Sequence, residues 1–390
     1  PNGQTKAIYS DGAGSGAAMV DAFQDLSIPD LFIDDDLTVG DDLIVNGDID
    51  LEGSIDVNGT ANLDAVDIDV SLTVDGTVKL NGNFPTGTDN IGLGNNTLNG
   101  SLSGAGNIAI GDSVGNAITS GSNAVAIGRD ALGGVYTGAD GIAIGRAALA
   151  ALTSGNYNVA IGGLAGTALT TGDNNVAIGF EALKTEDANG DNVAVGYQAG
   201  VSLTTGVQNT LIGAVAGDAI TEADHNVAIG YAALSTDTLG QRSVAIGRSA
   251  LEDQNLATTT QVYNVGIGYN AGGSITTGTN NVLVGGLAGD AITDADFNIA
   301  IGGNALGTNT VGSYSVAVGH AALLNQNPAT ATNMYNVAVG ASAGAAVTTG
   351  IYNTLVGSLA GDALTEGQQN VAIGYLALSA DTKGKLSVAI

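Results

Sequence analysis

Asn158-Val159-Ala160-Ile161-Gly162 is followed by Asn175-Val176-Ala177-Ile178-Gly179, and the phrase comes back at Asn226-Val227-Ala228-Ile229-Gly230. Close relatives of it close on Gly94, Gly111, Gly128, Gly145, Gly196, Gly213 and Gly247, then on Gly268, Gly285, Gly302, Gly319, Gly340, Gly357 and Gly374. Of the 16 steps between closing glycines, 14 are 17 residues and two are 21. A repeat this strict predicts a solenoid, because one such unit cannot bury its own apolar edge and must stack on its neighbours.

Positions are counted here from the closing glycine. Position −1 is Ile, Val or Leu in all 17 copies, and −3 is Val or Ile in 15, with Thr210 and Thr354 in the others. Between them, −2 is mostly Ala. Alternation of this kind predicts a short β-strand whose branched side chains share one face, with a sharp bend at the glycine. The expectation is that the −3 and −1 side chains are buried within each rung. Ala recurs at +3, as in Ala131, Ala148, Ala165, Ala182 and Ala199, and +4 is usually Leu or Gly. A polar turn closes the rung, often Thr-Thr-Gly, as at Thr170-Thr171-Gly172 and Thr204-Thr205-Gly206. Two short strands and two turns per rung are predicted, with the Ala columns at −2 and +3 free for close chain-to-chain contact in a homotrimer. Asn fills −4 in 13 of the 17 copies, which predicts a stacked amide ladder satisfying turn backbone. Three steps of 17 and one of 21 form a 72-residue unit, Gly196 to Gly268 and Gly268 to Gly340, the mark of segmental duplication. The chain stops at Ile390, one residue short of the next expected glycine, so further rungs are expected to follow.

Two other segments precede the array, which runs over residues 86–390. In 37–85 apolar pairs recur every six residues, as in Leu37/Val39, Leu43/Val45 and Ile49/Leu51, and resume after a one-residue slip at Val66/Ile68. Short strands punctuated by Gly47, Gly53 and Gly59 are predicted, and three chains wound together would cover their aliphatic faces as an intertwined β-stalk. Pro29 and Pro85 flank this segment. Residues 1–36 carry neither repeat and read as an attachment segment. It has a glycine-rich loop at Gly12–Gly16 and a short helix from Ala17 to Leu26.

The 390-residue chain holds 61 Gly, 4 Pro, no Cys and no Trp, with a net charge of −29. Disulfides and thiolate metal sites are therefore impossible. The charge disfavours a grip on nucleic acid or on an anionic membrane surface, and it favours solubility. Eighteen of the 38 carboxylates fall in residues 1–90. No run of 18 apolar residues is present, so no membrane insertion is expected, and residues 1–10 lack the pattern of a signal peptide.

The repeat Asn158–Gly162, Asn175–Gly179 and Asn226–Gly230 resembles the head repeat of trimeric autotransporter adhesins, the YadA-like head. That resemblance covers residues 89–390 and implies a left-handed parallel β-roll in a three-chain bundle. The 17-residue rung is longer than the family's usual one, and no family-like neck, coiled-coil heptad or membrane anchor is seen. Taken whole, the chain is more similar to virion fibre proteins of marine tailed phages, which join short Gly-Asp-rich repeats like Leu37–Gly82 to arrays of this rung. The role so implied is a homotrimeric phage tail fibre in the virion, extracellular. Its N-terminal segment would bind a virion tail or adaptor protein, and its distal part a host surface receptor. A bacterial adhesin head and an ice-binding solenoid are the alternatives.

Chemistry is sparse. His225 and His320 are the two histidines and sit at different rung positions. No Ser/His/Asp set, nucleophile motif or phosphate loop can be assembled, so a non-enzymatic protein without catalytic, cofactor-binding or metal site residues is expected. Asp34-Asp35-Asp36 and Asp41-Asp42 lack the ligand spacing of a calcium loop and read as a solvated patch. Tyr recurs at −5 (Tyr157, Tyr263, Tyr314, Tyr335, Tyr352) and at +1 (Tyr197, Tyr231, Tyr269, Tyr375), read as packing over turns or at a chain interface. The longer rungs add loops at Glu252–Val262 and Leu324–Met334, the candidates for partner contact.

Overall fold

A computed structural model describes residues 8–10, 19–21, 89–98 and 102–390. The chain divides into two units, Pro1–Gly76 and Thr77–Ile390. In the first, β1 (Ile8–Ser10) pairs antiparallel with β2 (Met19–Asp21). Strand β2 lies within the segment for which a helix is predicted, and pairing with β1 overrides that local preference. The proposed stalk at 37–85 lies outside the described residues.

The second unit is a parallel β-solenoid, and no helix occurs among its described residues. Each rung contributes one strand spanning −3 to −1, from β3 (Ile91–Leu93) through strands such as β11 (Val227–Ile229) to β24 (Val388–Ala389). Every strand pairs in parallel with the strand of the next rung, in one unbroken register. Val227 faces Val244, Ala228 faces Ala245 and Ile229 faces Ile246. At about 4.8 Å per rung the ladder is about 80 Å long. A second regular strand in each rung does not form. A second strand pair forms only where a long rung stacks on the rung before it: β12 (Gly240–Gln241) pairs with β14 (Thr260–Gln261) and β18 (Gly312–Ser313) with β20 (Thr332–Asn333). Elsewhere the far side of the rung is bent backbone that still bonds to the next rung, as Thr204 N–H does to the Thr221 carbonyl at 2.9 Å. That keeps its peptide groups satisfied without extended geometry.

The faces of the strand are the reverse of the sequence expectation. Ala at −2 and +3 is fully buried inside the single chain: Ala160, Ala165, Ala194, Ala199, Ala228 and Ala233 are all 0 % exposed. The Val and Ile side chains at −3 and −1 point outward and are half-buried or exposed. Alternation fixes which residues share a face but not which face is interior. Here the thin interior is filled from the opposite wall by Leu at +4 or by Leu, Ile or Val at +7, so small side chains prevail at −2.

That filling follows a size rule. In five rungs with Leu at +4, at Leu183, Leu234, Leu251, Leu306 and Leu323, position +7 is polar: Glu186, Asp237, Gln254, Asn309 and Gln326; the exceptions are Leu149, which stands with a buried Leu152, and Leu132, whose Val135 is exposed. Where +4 is Gly, as at Gly115, Gly217, Gly272 and Gly289, position +7 is Ile118, Ile220, Ile275 or Ile292. A Cβ at Gly217 would stand 2.9 Å from the Ile220 Cδ1 and 2.8 Å from the Leu211 Cδ2. Leu replaces Ala at −2 only in Leu211, Leu283 and Leu355, each between two rungs with Gly at +4.

Candidate functional surface

The Asn ladder forms as predicted. Asn209 Oδ1 accepts from the Asn226 N–H at 3.0 Å, and its Nδ2 donates to the Ala223 carbonyl at 2.8 Å. Each amide thus satisfies both a donor and an acceptor of the rung that follows. Where the column breaks, another group takes its place. Ser243 and Ser315 stand at −4, and Gln254 and Gln326 reach in from +7. Gln254 Nε2 donates to Ser243 Oγ at 3.0 Å, and its Oε1 accepts from Asn264 Nδ2 at 3.0 Å. Beside Gly141, the buried Tyr136 ring fills the gap, and burial pushes its hydroxyl up to about 12.

Two buried carboxyls belong to the same interior column. Asp237 accepts from Gln254 Nε2 at 2.5 Å and from the Gly240 N–H at 2.9 Å; burial raises its pKa against those bonds. Glu186 is fully buried in the column that also holds Leu169 and Leu203. Its Oε1 accepts from Asn192 Nδ2 at 2.9 Å, whereas Oε2 has no partner, and burial lifts its pKa to about 8. These groups lie inside the solenoid and serve its packing. Among the described residues no group of three or more His, Asp or Glu is placed to hold a metal ion, and no helix is long and apolar enough to cross a membrane. The Asp34–Asp36 and Asp41–Asp42 patches lie outside the described residues. His225 and His320 are both exposed, in the −5 and +1 columns, and are not brought together.

The outside of the array carries the feature that stands out. Apart from Val135 and Leu376, every exposed large apolar side chain among the described residues falls at −5, −3, −1 or +1. The outward face of the ladder is therefore two long columns of Val and Ile, flanked by a leading column at −5 and a trailing column at +1. The tyrosines predicted from spacing occupy these flanks. Phe297, Tyr314, Tyr335 and Tyr352 stack in the leading column with centroids 4.9, 5.3 and 5.4 Å apart. Phe180 and Tyr197 stack at 5.9 Å in the trailing column. All four arginines of the chain also sit in these columns: Arg129, Arg146 and Arg248 at +1 and Arg242 at −5. Arg248 lies 5.7 Å from both the Tyr231 and Tyr269 rings, and Arg242 lies 5.8 Å from Tyr263.

The two long-rung loops are partly built into the body. Val262 and Met334 are fully buried, Leu256 is nearly so, and Thr238 Oγ1 donates to Asn255 Oδ1 at 3.0 Å. The loop tip at 257–259 stays exposed. On the opposite flank, Thr at +8 forms a second regular column. Its hydroxyls donate to the next rung's carbonyl, as Thr221 Oγ1 does to Thr238 at 3.2 Å. Sequence reading picked out this column only through the Thr-Thr-Gly turns.

Comparison with protein families, with curated proteins and with solved structures returned no match for the chain.

Proposed function

We propose that the protein is a structural fibre: a homotrimeric tail fibre of a tailed phage, non-enzymatic, extracellular as part of the virion. In this reading residues 1–36 attach to a virion tail or adaptor protein, 37–85 form the intertwined stalk, and the array supports contact with a host surface receptor. The left-handed winding and the three-chain bundle that the YadA-like resemblance implies belong to the same reading.

The observation that carries it is the continuous Val/Ile face. An aliphatic strip about 80 Å long and about 10 Å wide offers on the order of 800 Å² per chain, the size of one side of a stable protein interface. Isolated soluble proteins rarely leave so large an apolar patch uncovered. Copies of the same chain supply a matching strip of equal length, whereas the −29 charge keeps assembled rods from sticking to each other. The face that meets its copies is thus Val/Ile and not the Ala columns, which are sealed inside each chain. The Thr column gives no support to an ice-binding alternative, since its hydroxyls are engaged along the ladder.

Sedimentation equilibrium tests the assembly. The expected mass is three chains, falling to one in a Val159→Asp/Ile161→Asp/Val176→Asp/Ile178→Asp variant whose circular dichroism stays β. A monomeric mass for the unaltered chain overturns it. Imaging of intact particles with antibody to the array tests the location, and label on a bacterial envelope instead of a phage tail overturns that part.

A further inference from the structure

The turn that leads into the rung closed by Gly196 departs from the others. Position +10 is Gly in 12 of the 17 copies, but counted from Gly179 it is Asn189, and the glycine comes one place later as Gly190. This is the one Asn-Gly step among the described residues. Packing holds the glycine there, because a Cβ on Gly190 would collide with the Asp173 carbonyl oxygen. An asparagine is open to attack on its side-chain amide carbon by the backbone nitrogen of the residue after it. A side chain on that residue crowds the attack, and a hydrogen bond from its N–H holds the nitrogen back. The ladder asparagines have both protections. All 13 precede Val, Ile or Thr, whose branched Cβ crowds the adjoining peptide. The N–H that follows is bonded to the next rung, as Val176 N–H is to the Asn192 carbonyl at 2.8 Å.

Gly190 lacks both. It carries no side chain, and its N–H misses the acceptor that other −6 groups find. Elsewhere the −6 N–H donates to the −6 side chain of the following rung: Ala139 to Asn156 Oδ1 at 2.9 Å, Val207 to Asp224 Oδ1 at 2.9 Å and Thr279 to Asp296 Oδ1 at 2.7 Å. After Gly190 this column holds Val207, which has no side-chain acceptor, and the Gly190 N–H donates to no group of the chain. The side-chain amide of Asn189, a half-buried residue, is likewise unbonded.

We infer that Asn189-Gly190 is a self-modification site at which the chain deamidates. The Gly190 nitrogen bonds to Asn189 Cγ and the Cγ–Nδ2 bond breaks. Nδ2 leaves as ammonia, taking the proton that the Gly190 nitrogen gives up. The product is a five-membered cyclic imide. Water then adds to one of its two carbonyl carbons and opens the ring, giving aspartate or isoaspartate at position 189. Water is the sole co-reactant. The place of the reaction makes it consequential, because the Asn189 carbonyl accepts from Asn175 Nδ2 at 3.0 Å and lies over Gly172. Isoaspartate routes the backbone through the side-chain carbon, so this carbonyl leaves the main chain as part of a free carboxylate and the ladder loses an acceptor. Either product adds a carboxylate to a turn that already holds Glu186, Asp187 and Asp191. The inference does not depend on the assembly or the location proposed above.

Peptide mapping by mass spectrometry tests it, on the full chain held at mildly alkaline pH and sampled over time. Conversion at Asn189 is expected to run at least about ten-fold faster than at any ladder asparagine, with isoaspartate among the products. Val207→Asn supplies the missing acceptor without adding charge, as Asn156 does for the Ala139 N–H. A hydrogen bond of ordinary net strength that must open before attack is expected to slow the conversion about five-fold. Hydrogen exchange on the aged chain reads the consequence: amides next to the altered turn lose protection. In Asn189→Ala, which carries the +10 residue found at Ala223 and Ala295, they keep it. The inference is overturned if Asn189 converts no faster than the ladder asparagines, or if Val207→Asn leaves its rate unchanged. The first comparison is made within the unaltered chain, so it holds even where a substitution disturbs the turn.

Discussion

Leu211 occupies the space that a side chain on Gly217 would need: a Cβ there would stand 2.8 Å from the leucine Cδ2. The backbone angle is not the reason for glycine at this position. Gly217 has φ 55°, but Leu234, one rung later at the same position, adopts the same φ of 55°. Volume decides, since −2 and +4 share one narrow interior. Gly217→Leu alone is therefore expected to overpack the rung by about 1–3 kcal/mol, and Leu211→Ala alone to cost about 2–5 kcal/mol. The double variant restores the Ala228/Leu234 pair of the next rung, although Ile220 remains where that rung has Asp237. Its loss, read from denaturant midpoints, should fall well below the sum of the singles, and strict additivity would show that the two side chains do not share space.

The amide ladder makes a second prediction. Asn209→Leu leaves the Asn226 N–H and the Ala223 carbonyl without their buried partners. A cost of about 1–3 kcal/mol for each orphaned group is expected. Hydrogen exchange should locate it: the Asn226 amide accelerates, and amides several rungs away do not. Uniform acceleration along the array would contradict the neighbour-only coupling of rungs.

Glu186 predicts a pH-dependent weak point. Burial raises its pKa from 4.5 to about 8 in the folded chain, so the protonated form is the one the fold favours. Its contribution is fully present below about 4.5, declines as pH rises through about 8, and changes little above. Protection factors of the amides in the rung from Gly179 to Gly196, normalised for intrinsic exchange, should drop between pH 5 and pH 9. Glu186→Gln should abolish that drop. An equal drop in the variant would assign it to other groups.

The closing glycines predict intolerance of any side chain. Gly230 has φ 136°, and a Cβ there would lie 2.5 Å from the Gly247 carbonyl oxygen. Gly230→Ala is expected to cost on the order of 1–3 kcal/mol from backbone strain, with the contact adding to it. Local exchange at Gly247 and its neighbours is the readout, and an unchanged rate would show that the rungs can spread at no cost.

How much of this was legible in the sequence depends on the kind of information. Period, strand position and ladder are set by local order, and Asn158–Gly162 displays all three. The Asn column was legible too, because an amide at a fixed place in every rung has few other uses. Which face is interior was not legible. Val159 and Ile161 are more apolar than Ala160, and hydrophobicity argues for burying them. The outcome is set by what lines the opposite wall, Leu149 and Leu183 among others, and that is a matter of cross-section. The Leu/Gly choice at +4 was visible, but its link to +7 and −2 becomes readable only once those positions are known to converge. The aromatic columns were identified by spacing, and their stacking follows from the constant register.

The direction of the inter-rung bonds has a mechanical consequence. Backbone N–H groups such as that of Gly230, bonded at 2.7 Å to the Ile212 carbonyl, and the Asn side chains alike bridge one rung to the next. A pull applied along the rod loads these bridges in series, so its tensile strength is that of its weakest interface and does not grow with the number of rungs. Lengthening the ladder by whole rungs therefore extends its reach without adding to its strength along the axis.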